Sequence, residues 1–123
     1  MDSILNSVKQ QLGITSDYNA FDAELILHIN SVLRILNQLG VGKLGFEISD
    51  SNSTWSDFLG DKESILSDVK TYVYLKVRYF WDPPSVGSHM SALENIIKEL
   101  EWRINVEIDP VDYDWSNEGF DDI

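Results

Sequence analysis

The sequence predicts an all-α protein, a small bundle of about four helices with a long loop after the second helix and an extended acidic C-terminal tail. Three observations carry this. Apolar residues recur at helical spacing in four separate stretches. Glycines or prolines interrupt the chain between those stretches. The last segment then changes composition, with acids and no basic residue. The division expected is a helical domain over 1–108 and an acidic, aromatic-containing arm over 109–123.

Ile4, Leu5, Val8 and Leu12 share one helical face, and Gly13 stops the pattern. Asn19, with Asp22 three residues on, reads as the N-cap of the second helix, expected over Ala20–Leu39. Phe21, Leu25, Ile29, Val32, Leu36 and Leu39 form its stripe, and Gly40 ends it. Residues 41–53 read as a long loop, with a brief extended piece where Phe46 and Ile48 alternate. Thr54 and Asp57 form a capping pair for a single helical turn anchored by Trp55 and Phe58 and closed by Gly60.

The third main helix is expected from Asp61, its cap, to about Trp81. It carries two stripes: Ile65, Val69, Val73, Val77 and Phe80, then Tyr72, Leu75 and Tyr79. Two stripes imply burial on two sides, the second against either this chain or a neighbouring subunit. Pro83 and Pro84 end the helix and form a rigid corner, because each disfavours the α region in the residue before it. The last helix is expected from near Ser88, with Met90, Leu93, Ile97, Leu100 and Ile104 inward and Trp102 off the stripe. Ile104, Val106 and Ile108 alternate, which reads as a short strand before the arm.

The chain has 123 residues, nine Lys plus Arg, and a net charge of -12. Such a surface repels the nucleic acid backbone and an anionic membrane. Half of the excess charge lies in the arm, on Asp109, Asp112, Asp114, Glu118, Asp121 and Asp122. Cysteine is absent, which removes disulfides, zinc thiolates and cysteine nucleophiles. No secretory signal or membrane-spanning run is visible, so a soluble intracellular protein is expected. His28 and His89 are the only histidines, and neither has metal-ligand spacing to a partner. Glu94, Glu99 and Glu101 read as a solvated helix face beside Lys98 and Arg103. The "GVGKLG" stretch lacks the Ser or Thr and the helix of a phosphate-binding loop. No enzyme, no cofactor and no metal is expected. The aromatics point instead to protein contacts, since a domain of this size has limited room to bury four tryptophans.

Three stretches, "LNQLGVGKLGFEISDSNSTWSDFLGD", "VKTYVYLKVRYFWDPP" and "ALENIIKELEWRINV", resemble the head–tail connector (adaptor, or head-completion) proteins of tailed phages infecting Gram-positive bacteria. The resemblance runs from about Ile26 to Val106. It implies a mainly helical structural subunit of the virion neck, assembled in the bacterial host cytoplasm. Such subunits form a homo-oligomeric ring, twelve-fold to match the portal protein. The ring extends the DNA channel toward the stopper or other neck and tail proteins. An acidic wall suits that task, because DNA passes without being gripped. Tyr72, Tyr79, Trp81, Trp102, Tyr113, Trp115 and Phe120 are the candidate subunit or partner contacts, and Pro83 and Pro84 the structural corner. The alternative is an acidic DNA-mimic inhibitor of a DNA-binding protein. It predicts carboxylates spread over one long face.

Overall fold

A computed structural model of the chain describes residues 3–60 and 62–108. It contains five α-helices: α1 (Ile4–Gln11), α2 (Asp22–Gln38), α3 (Trp55–Leu59), α4 (Leu66–Trp81) and α5 (Gly87–Ile108). A short 3-10 turn, Glu63–Ile65, leads into α4. No strand occurs among the described residues, so the all-α expectation holds. The acidic arm and Asp61 lie outside the described residues.

The fold is organised around α4, which packs on α2, on α5 and on α1. Its first stripe supplies Ile65, Val69, Val73 and Val77 to the core, beside Leu25, Ile29, Val32, Leu33 and Leu36 of α2. Burying side chains of this size stabilises the fold by about 1.5–3 kcal/mol each. The second stripe meets α5. Tyr72 donates its hydroxyl to Glu101 Oε2 at 2.7 Å, and Tyr79 donates to Glu94 Oε2 at 2.8 Å. Residue numbers rise along α4 as they fall along α5 in these two pairs, so the helices run antiparallel. The second surface that α4 requires is therefore supplied by its own chain.

Lys9 is an unusual member of the core, at 1% exposure. It lies on α1, and its ammonium donates to Asp22 Oδ1 at 2.8 Å and to the Ser16 carbonyl at 3.1 Å. A buried charge is tolerated only when paired and hydrogen-bonded in this way. The bond ties the segment between α1 and α2 to both helices. It also explains why the expected cap at the start of α2 is not made. Asp22 spends its carboxylate on Lys9, Asn19 offers only its backbone carbonyl to the Asp22 N–H, and the cap position falls to Phe21 with no side-chain bond.

The loop after α2 contributes no strand. Two asparagines two turns apart on α2 hold it, and the Lys43 N–H donates to the Phe58 carbonyl. Asn30 donates to the Ile48 carbonyl at 2.9 Å and accepts from the Ile48 N–H at 2.8 Å. Asn37 donates to the carbonyls of Val41 and Lys43 and accepts from the Gly45 N–H. The Asn30 amide thus plays the part a neighbouring strand would play. Gly42 lies against Phe58 at φ 80°, where a Cβ would come within 2.3 Å of the ring. Only glycine fits there. Thr54 and Asp57 make the expected capping box at α3, and the Trp55 indole donates to Ser7 Oγ at 2.9 Å.

Two boundaries depart from expectation. The third main helix begins with the 3-10 turn and becomes α-helical at Leu66, with Ile65 at the cap position and no side-chain bond. The residues expected as a strand, Ile104, Val106 and Ile108, continue α5. Ile104 and Ile108 are four apart, so the same spacing satisfies a helix. Ile104 is fully buried against the bundle, and this packing decides the matter.

Candidate interaction surface

Where α4 ends and α2 begins, aromatic rings meet across the seam. Phe21 sits edge-on to Trp81, with centroids 5.3 Å apart, and Tyr18 sits edge-on to Phe21 at 5.6 Å. One helical repeat further along α2, His28 stacks on Phe80 at 6.2 Å, and Tyr79 meets Phe80 edge-on. The Lys76 ammonium lies 5.7 Å from the Phe80 centroid. Tyr18 and Phe80 are each about half exposed, so these rings form a ledge open to solvent. Phe80 was expected in the buried stripe. It closes the stripe at the helix end, where α4 outruns the core.

Pro83 and Pro84, read from the sequence as a corner, lie between the end of α4 and the start of α5. Asp82 leaves the helix at φ -145° and ψ 69°, outside the α region that the following proline disfavours, and Pro83 and Pro84 carry the chain to α5. On α5, Trp102 is 59% exposed and lies opposite the inward stripe of Leu93, Ile97, Leu100 and Ile104. A large aromatic fully outside its helix stripe is a candidate contact residue.

The candidate contact residues therefore divide. Trp102 is presented to solvent. Trp81 is half-buried against Phe21 within its own chain. Tyr79 is partly buried, and its bond to Glu94, then the charge of that carboxylate, push its phenol above the usual tyrosine range. Tyr72 is fully buried between α4 and α5 and offers no surface in this conformation. Burial first, and then the Glu101 carboxylate, push its phenol well above the usual range. Both tyrosines thus hold their protons firmly and serve as donors to glutamate. Tyr113, Trp115 and Phe120 lie outside the described residues. The sequence reading missed Tyr18, Phe21 and Phe80 as a surface. The aromatic spacing on each side of the seam was visible, but their meeting depends on how α2 and α4 align.

Among the described residues no cluster of His, Asp or Glu is arranged to hold a metal ion. No helix among them is long and apolar enough to cross a membrane.

No curated protein matches the chain, and no solved structure does. A family model described as "phage connector protein" matches residues 4–111, which takes in every helix of the bundle. The chain belongs to the phage connector protein family, which places it in the virion among the head and tail proteins of a bacteriophage.

Proposed function

We propose that this connector is the adaptor between head and tail, a ring of identical subunits under the portal that extends the DNA channel toward the stopper. The observation that carries the reading is the family match over residues 4–111. Two features of the molecule support the finer parts. A closed ring of identical subunits is built from heterologous contacts, in which two different surfaces of each copy meet. The bundle offers two such surfaces, the ledge at the α2–α4 seam and the outer side of α5 around Trp102. The net charge of -12 suits a conduit, since a wall without clustered cations lets a duplex slide past.

In this reading the protein performs no chemistry. Its work is geometric, joining two assemblies and continuing a channel between them. The mass of the purified protein, alone and mixed with portal protein, tests it. A ring in isolation, or a monomer that becomes a ring on the portal, is expected. A strict monomer that does not associate with portal would overturn it.

A further inference from the structure

A second apolar surface lies on the side of α2 that faces away from α4, and the proposed ring contacts do not use it. It is a groove of about 590 Å³ between α2 and the loop that follows. Leu27, Arg34 and Gln38 line it from the helix, and Leu44, Phe46 and the carboxylate-bearing Glu47 from the loop. Its rim is apolar and open, with Leu27 at 66% and Leu44 at 87% exposure. Asn30 and Asn37 belong to its lining, but their amides are engaged in holding the loop. Arg34 is exposed within the groove, and Lys43 stands beside Leu44 in the loop.

We propose that in the unassembled chain this groove receives the chain's own acidic segment, residues 109–123. Three observations select that occupant. The first is position. The described chain ends at Ile108, whose Cγ2 lies 3.0 Å from where a Cβ on Gly40 would stand, and Gly40 is two residues beyond Gln38 at one end of the groove. The second is chemistry. The segment alternates acid and aromatic at Asp112, Tyr113, Asp114 and Trp115, and carries no basic residue. Arg34 within the groove and Lys43 at its edge outnumber the single acid Glu47, so cations between apolar rims complement that pattern. The third is reach. An extended chain covers about 3.3–3.6 Å per residue. From Leu27 to Gln38 the helix rises about 1.5 Å per residue, so the segment spans the groove with length to spare. A segment tethered at the groove's end also acts at an effective concentration on the order of millimolar. In dilute solution that outcompetes the same segment of a second copy.

Hydrogen–deuterium exchange on the isolated full-length chain tests this, with no portal present, so its outcome is separate from that of the mass measurement. Amides in 109–123 are expected to exchange at least about tenfold more slowly than an unstructured peptide. The double variant Leu27→Asp, Arg34→Glu is expected to abolish that protection and leave the protection of α2 and α4 intact. A photocrosslinker at position 44 should then join 109–123 of the same chain. Unprotected amides in the unaltered protein would overturn the proposal, as would protection that survives the double variant. Crosslinks only between isotopically distinct copies would show that a second chain fills the groove, and would overturn it equally.

Discussion

Against α2, α4 sets Val69, Val73 and Val77 beside Leu25, Ile29, Val32, Leu33 and Leu36, all fully excluded from water. Against α5 it sets Tyr72 and Tyr79, whose hydroxyls reach across to Glu101 and Glu94, and the facing Leu93, Ile97 and Leu100 each retain 5–7% exposure. The first seam is dry and held by close packing. The second is apolar at its centre and fastened along its edge by tyrosine–carboxylate bonds. α5 also contacts the bundle chiefly through α4, whereas α2 is additionally braced by α1. The α2–α4 pair is thus the more completely buried part of the domain, and α5 is a layer packed on it.

Truncations on the two seams test this difference most strongly. Ile29→Ala, at 0% exposure between α2 and α4, is expected to cost about 3–5 kcal/mol, because little around it can collapse into the gap. Ile97→Ala on α5 is expected to cost about 2 kcal/mol, since its neighbours are open to water at one edge. Urea denaturation of both variants gives the comparison. Equal costs would break it. Native-state hydrogen exchange sharpens the same point, with α5 expected to open at a lower free energy than α2 and α4.

The α2–α4 seam was readable from the sequence because it depends on periodicity alone. On the central line of the α2 stripe every residue is buried except Phe21 and Leu39, which sit at its two ends, while Ile26 and Ile35 at the stripe's margins are partly buried. The partner of the second stripe on α4 was not readable. Periodicity shows that Tyr72 and Tyr79 face something, but not whether that surface belongs to the same chain. The clue lay in Glu94 and Glu101, seven apart like Tyr72 and Tyr79, which spacing alone presented as a solvated face. The loop itself was readable, but the way it is held was not, for a related reason. Asn30 and Asn37 are also seven apart, and an asparagine amide replacing a strand leaves no alternating pattern to find. Trp102 was legible as an outlier, since a residue off its stripe is identified by the stripe itself. The ledge was not, because it needs the alignment of two helices.

The edge bonds of the second seam are the next test. Tyr72→Phe removes the donor to Glu101 and keeps the ring. The expected cost is about 1–2 kcal/mol, in the range for a hydrogen bond to a charged group, lessened by Lys76 3.9 Å from the same carboxylate. The pH dependence follows from the raised phenol in the folded protein. The unfolded chain loses its phenolic proton near pH 10, before the folded chain does. The contribution of Tyr72 is therefore complete below that pH and is lost as the pH rises above it. The stability difference between the unaltered protein and Tyr72→Phe should be constant from pH 7 to 9 and shrink above pH 10. All other groups titrate in both proteins, so the difference isolates Tyr72. A gap that stays constant to pH 11 would mean the bond to Glu101 does not hold α5 in solution.

The smallest effect on stability is expected at Trp102, and it bears most directly on what the outer layer is for. Trp102 stands on the far side of α5 from the seam, at 59% exposure. Trp102→Ala removes little packing within the chain and should change unfolding free energy by no more than about 0.5 kcal/mol. If the outer side of α5 meets a neighbouring subunit or the portal, the same truncation should weaken assembly by at least about 2 kcal/mol, roughly thirtyfold in association. Trp81→Ala makes the contrast. Its ring packs on Phe21 of its own chain, so it should lower the melting temperature whatever it does to assembly. A Trp102→Ala protein with unchanged melting and unchanged association with portal would remove α5 from the contact surface and leave the aromatic ledge at the α2–α4 seam to make it.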